Sequence, residues 1–168
     1  MFKQRVKFLT VLWAVALAGC TAEAPPASDS AADPTADHAA AEAVVGDLFR
    51  AMESWDYEAI RATATADFEL VEDTLIMTMD DFVSMIEPYA AQEAVMRWTL
   101  TDFNTESDGD VVWTRYQNRA VLDMAGEESR FHWIESAVVL RQPDGSWKID
   151  RLQSTPVSVE GAMAEGGG

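Results

Sequence analysis

Four β-rich runs fill the second half of this chain, and the gaps between them are too short for anything but reversal of direction. The runs are Ala94 to Phe103, Asp110 to Leu122, Ser129 to Arg141 and Trp147 to Thr155. Between them lie Asp108-Gly109, Ala125-Gly126 and Pro143-Asp144-Gly145, residues that accept the backbone angles of tight turns. Parallel neighbours would need a crossover of about a dozen residues, so the spacing predicts an antiparallel meander. The segments before it read differently. Val44, Val45, Leu48, Phe49 and Met52 recur at helical spacing. Asp56 is placed to cap a short second helix carrying Ala59 and Ile60. Phe68 to Val71 reads as a short strand. Thr78 with Asp81 three residues on forms a capping-box pattern, opening a helix with Phe82, Val83 and Ile86 on one side and Pro88 near its end. Helices first and long strands after them is the order of an α+β domain.

Charge removes whole classes of partner. The 168 residues carry 12 Lys and Arg against 29 Asp and Glu, a net charge of −17. Nucleic-acid binding needs a basic footprint, which is lacking. A polybasic contact with anionic lipid is excluded on the same ground. Cys20 is the single cysteine, so there is neither an internal disulfide nor a thiolate-rich metal centre. Asn104, Glu106, Asp108 and Gly109 imitate the start of a calcium loop, but its twelfth position is Arg115, where a bidentate glutamate is required. With no Gly-rich phosphate loop either, no metal and no cofactor is expected.

Lys3, Arg5 and Lys7 precede an uncharged run from Phe8 to Ala18, too short to span a bilayer and laid out like an export signal. It ends Leu17-Ala18-Gly19-Cys20, which resembles the lipobox of bacterial lipoproteins. The resemblance implies cleavage before Cys20, lipid on its thiol, and a membrane partner through that anchor. The expected location is the bacterial cell envelope. Thr21, where an Asp would favour the inner membrane, leans towards the outer membrane of a Gram-negative cell. The organisation is then residues 1–19 signal, 20–39 lipidated flexible tether, 40–157 folded domain and 158–168 disordered tail. The tether is rich in Ala, Pro, Ser and Asp and lacks large apolar groups to offset its ordering entropy.

The segments ESWDYEAI, ATADFELVED and VVLRQPDGSWKIDRLQSTP, in this order, resemble the nuclear transport factor 2-like superfamily, in its SnoaL-like and calcium/calmodulin-kinase association-domain branch. The likeness runs from Ala40 to Val157. It implies a cone, with a strongly curved antiparallel sheet wrapped around N-terminal helices and a cavity open at one end. That scaffold serves isomerases, dehydratases, binding modules and dimerising domains alike, so function must be argued from the site.

In the isomerase branch a run like LVED carries the proton-shuttling base, which the resemblance places on Asp73; a turn-capping acid before Thr74 is the other reading. The branch's oxyanion-stabilising tyrosine falls at Leu48, and its second acid near Ile134, with Glu135 one residue off and facing away. The histidines common in the last strand are replaced by Arg151 and Gln153. His132 is the only histidine in the run of strands, a second catalytic candidate or simply a strand residue. Pairing the second and third runs across Gly126 gathers Trp113, Arg115, Gln117 and Arg119 on one face with Val138, Ser136, Ile134 and His132. Thr114, Tyr116, Asn118, Trp133 and Glu135 share the other, and a slip of one residue exchanges the sets. The isomerase comparison turns the first set inwards. Trp113, Arg115, Gln117, Arg119, Ser136, Arg151 and Gln153 would then bind a small anionic group, arginine suiting a carboxylate. Turned outwards, the same arginines would pair with the acidic excess. Three functions follow as expectations: a non-catalytic binding module for a small molecule, a proton-transfer enzyme using Asp73, or a structural homodimer formed through the outer sheet face.

Overall fold

The computed structural model describes residues 34–157. The signal segment, Cys20 and the tail after Val157 lie outside the described residues. Three helices, α1 (Pro34–Glu53), α2 (Tyr57–Ala62) and α3 (Met79–Ala91), pack on one six-stranded sheet. Its strands are β1 (Ala64–Glu72), β2 (Leu75–Met77), β3 (Val95–Asp108), β4 (Val111–Met124), β5 (Glu127–Arg141) and β6 (Trp147–Pro156).

The amphipathic spacing of α1 buries Val45, Leu48, Phe49 and Met52. The helix starts at Pro34, inside the segment expected to be a tether. Proline costs nothing at a first helical position, and the His38-Ala39-Ala40-Ala41-Glu42-Ala43 run that follows is strongly helix-forming without large apolar groups. The Asp56 carboxylate accepts from Ala59 N at 3.0 Å and caps α2. At α3, Asp81 N donates to Thr78 Oγ1 at 3.2 Å while Thr78 N donates to Asp81 Oδ2 at 3.0 Å. The Thr78 hydroxyl, donating to Asp81 Oδ2 at 2.6 Å, and then the Thr78 N–H hold the Asp81 carboxyl below its usual range. Phe82, Val83 and Ile86 are buried, and the helix continues past Pro88 to Ala91.

The strand order is β2-β1-β6-β5-β4-β3. The four long strands form the expected antiparallel meander, but the sheet as a whole is mixed, because β1 runs parallel to β6. No tight turn dictates that pairing: β2, α3 and β3 to β5 separate the two strands, ample chain for a parallel return. Leu75–Met77 adds a strand that the sequence reading missed, folded back on β1 by the two-residue turn Asp73-Thr74. Asp73 sits there at φ 51°, a left-handed angle that aspartate tolerates.

Bulges bend the sheet. On β3 the register jumps between Thr101 and Asn104, with Asp102 at φ 59°. On β6, Ile149 pairs with Val139 and Arg151 with Val138, so Asp150 is the extra residue. The curved inner face closes over the helices, and Val45, Leu48, Ile60, Val83, Val112, Tyr116, Val139 and Ile149 are fully buried between them.

Candidate functional site

A cavity of about 240 Å³ lies between the helices and the inner sheet face. Leu48, Phe49 and Met52 of α1 and Phe82 and Ile86 of α3 supply its helical side. Leu70, Met96, Trp98, Ala120, Leu122, Trp133 and Leu152 supply the strand side, while the more exposed Met85, Tyr89 and Phe131 complete the lining. Aromatic rings make a continuous wall. Phe49 lies 5.0 Å from Trp98, Trp98 6.0 Å from Trp133, and Trp133 stacks on Phe131 at 5.4 Å.

Glu135, Ser154 and Glu72 line the cavity as part of one polar row that continues to Tyr116 outside the lining. Strand register sets Tyr116 on β4 opposite Glu135 on β5, Glu135 opposite Ser154 on β6, and Ser154 opposite Glu72 on β1. Ser154 Oγ donates to Glu135 Oε1 at 3.0 Å. Glu135 Oε2, the Tyr116 hydroxyl, both amide atoms of Asn118 and Trp98 Nε1 are buried without a hydrogen-bond partner. Unpaired buried groups of this kind are rare in folded proteins and ask for an explanation.

Burial raises the proton affinity of Glu135, and the charge of Glu72 adds to the rise. Tyr116, Asn118 and Ser154 work against it, although of the three only Ser154 closes a hydrogen bond. Glu72 is raised as well, by burial first and by Asp73 second. The Tyr116 phenol is held well above its ordinary range by burial and then by Glu135, so it stays a neutral hydroxyl.

The meander register is the one the sequence reading paired: Trp113 with Val138, Arg115 with Ser136, Gln117 with Ile134, Arg119 with His132. The inward face is the opposite one. Thr114, Tyr116 and Asn118 are fully buried, whereas Trp113 is 40% exposed and Arg119 is exposed. The set carrying two arginines and a glutamine faces solvent, where charge needs no burial. None of Trp113, Arg115, Gln117, Arg119 or Ser136 lines the cavity. His132 is on the same outer face, its Nε2 sharing a hydrogen bond with Gln117 Oε1. The Asp150 bulge shifts the phase of β6, so Leu152 and Ser154 point inwards and Arg151 and Gln153 outwards. Arg151 pairs with Glu69 at 3.2 Å and Asp150 at 2.9 Å and donates to Asp67 O at 2.7 Å. Asp73 is exposed in its turn and does not line the cavity, leaving Glu72 as the lining acid of LVED. Glu135, read as facing away, faces in. The calcium-loop mimic is the β3–β4 hairpin, and no cluster suited to a metal occurs among the described residues.

Comparison with known proteins agrees with this architecture. The model of the SnoaL-like domain matches residues 41–158. The chain belongs to the SnoaL-like domain family, and its fold is nuclear transport factor 2-like. Among solved structures it is similar to a ketosteroid isomerase-like protein from Erwinia carotovora atroseptica, with TM-score 0.60 and 17% identity over 73% of this chain and 98% of that one. A Mycobacterium tuberculosis protein of unknown function gives TM-score 0.67 and 18% identity over 74% of each chain. A nuclear transport factor 2-like protein from Cytophaga hutchinsonii gives 0.58 and 14%, covering 69% of this chain and 94% of its own. At such identities the likeness speaks for the fold alone. No curated relative matches the sequence.

Proposed function

We propose that this chain is an envelope lipoprotein, anchored through Cys20, whose SnoaL-like domain binds a small, largely apolar molecule in the cavity without transforming it. One observation carries the binding reading: an aromatic-walled cavity crossed by a polar row whose Glu135 Oε2 has no partner within the protein. Ligand sites are mostly apolar, with a few convergent polar groups that fix orientation. The lining holds no arginine, lysine or histidine, so the expectation of an anionic ligand gives way to an uncharged or cationic one. Calorimetric titration of the full chain with 2-naphthol and related uncharged bicyclic compounds tests this. Saturable binding is expected, and its absence across the series overturns the reading. The anchor rests on the signal-like residues and the Leu17-Ala18-Gly19-Cys20 motif. Cys20→Ser should abolish lipid incorporation; unchanged labelling by a fatty-acid precursor would refute it.

A second reading has its own support: Glu72 and Glu135 line the same cavity, and burial lifts both proton affinities. One carboxylate and one protonated acid are the equipment of proton transfer next to a carbonyl, with Glu72 as base and Glu135 as hydrogen-bond donor. This replaces the Asp73 scheme. Deuterium exchange at the α-carbon of 2-tetralone, accelerated by the protein and lost in Glu72→Gln, would establish it. No acceleration would leave binding as the function.

A further inference from the structure

The cavity combines two carboxyl groups with an aromatic wall and contains no basic side chain. Building on the reading of this cavity as a ligand site, we propose that its ligand is an organic cation: a protonated primary or secondary amine on a compact aromatic or aliphatic body.

The argument starts from the unpaired acceptor. Glu135 is 5% exposed and lines the cavity; Ser154 occupies its Oε1 and leaves Oε2 free. An acceptor in that position is satisfied only by a donor, and an ammonium group carries donors and no acceptors. Glu72, one register step beyond Ser154 in the same row, gives the remaining N–H groups a second carboxyl. The wall suits the same charge. Phe49, Trp98, Trp133 and Phe131 line the space, and the negative face of an aromatic ring attracts a cation, tryptophan most strongly. A carboxylate ligand would meet two acidic groups with no compensating base. An alcohol would gain one hydrogen bond and none of the charge attraction. A net charge of −17 further concentrates cations around the molecule.

The test is a titration of the full chain with three compounds of one shape: 2-phenylethylamine, 2-phenylethanol and phenylacetate, with 2-naphthol as the uncharged reference. The amine should bind about tenfold or more tighter than the alcohol, as a charge-assisted hydrogen bond in a sheltered site implies, and phenylacetate should not saturate. Added salt should erode the amine's advantage and leave 2-naphthol unchanged. Glu135→Gln keeps the shape and removes the charge, so amine and alcohol should fall to near parity. Glu72→Gln offers the same reading if the first variant folds poorly. An alcohol that binds as tightly as the amine in the native chain overturns the cation and leaves the ligand site standing. So does an amine advantage that survives both substitutions. Failure of all four compounds overturns the ligand site itself.

Discussion

Ser154 and Glu135 face each other across β6 and β5, and the serine hydroxyl donates to one carboxyl oxygen at 3.0 Å while the other oxygen has no partner. Ser154→Ala therefore strips the carboxyl of its only hydrogen bond inside a buried row. Leaving a buried polar group unsatisfied costs about 1–3 kcal/mol, and urea unfolding at neutral pH should show a loss of that size. The pH dependence has a definite sign. Glu135 holds its proton to higher pH when folded than when unfolded, as does Glu72, and the remaining titratable group in the row, Tyr116, stays neutral. As pH rises from the ordinary carboxylate range to the raised folded value, the unfolded chain ionises first, so stability falls across that window and levels off above it. Glu135→Gln removes its share. The stability of the variant relative to the native chain should rise with pH through this window, and a difference that stays flat would contradict the raised proton affinity.

Cavity filling separates binding from folding. Ala120 is 5% exposed and lines the cavity from β4, next to the space bounded by Leu122 and Phe131. Ala120→Met adds methylenes to an opening, not to a packed core, so thermal stability should hold or rise. Binding of 2-naphthol should weaken by about tenfold or more, read by calorimetry. Retained affinity in a folded variant would put the ligand elsewhere.

The legible parts of this fold were the ones coded within a few residues. The Asp56 cap, the Thr78–Asp81 box and the turn residues around Gly109, Gly126 and Gly145 each act over three or four positions, and the structure forms all of them. The two-residue turn at Ala125-Gly126 fixed the β4–β5 register as well, from Met124 with Glu127 to Val111 with Leu140. What escaped depends on distant partners. The parallel β1–β6 pairing joins Glu72 to Ser154 across most of the domain, and no local signal announces it. Bulges at Asp102 and Asp150 reset the in–out phase with unremarkable residues, which hid Ser154 and offered Arg151 and Gln153 in its place. The choice of inner face was legible in principle. Val112, Tyr116, Ala120, Ala137 and Val139 form the more apolar set, whereas likeness to the isomerase branch turns the arginines inwards.

Those arginines should now prove dispensable for the cavity. Arg115 and Arg119 lie on the outer sheet face and form no ion pair with any described residue. Arg115→Ala and Arg119→Ala should each shift stability by no more than about 0.5 kcal/mol and leave 2-naphthol affinity unchanged. A tenfold loss of affinity in either would show that the outer face communicates with the cavity.

The β4–β5 hairpin carries an avoidable strain. Ala125 sits at φ 56° and Gly126 at φ 88°, the left-handed pair of a two-residue turn, and alanine is the poorer residue for the first position. Ala125→Asn, which has a short polar side chain suited to this angle, should stabilise the domain by about 0.5–1 kcal/mol. Gly126→Ala should destabilise it by about 1–2 kcal/mol, since the added Cβ meets open space but the backbone angle stays unfavourable. Thermal unfolding of the two variants should move in opposite directions.

The first turn of α1, which lies beyond the expected domain boundary, is tied to the sheet by Arg141. Its guanidinium meets Asp37 at 2.5 Å and Asp110 at 3.2 Å, and lies 4.5 Å from the centroid of the Trp147 ring. Asp110 is largely exposed and adds little, but Asp37 and Arg141 are mostly covered, with side chains 13% and 27% exposed. The Trp147 stacking adds a cation–π contribution that needs the flat guanidinium. Arg141→Ala should therefore cost about 1–2 kcal/mol, well above the effect at Arg115 or Arg119, and hydrogen exchange should quicken first in residues 34–40. Arg141→Lys keeps the charge but loses the fork and the flat stacking surface, so it should recover only part of the loss. Full recovery by lysine would show that charge alone holds the helix start, and unchanged exchange in Arg141→Ala would show that α1 needs no tie to the sheet.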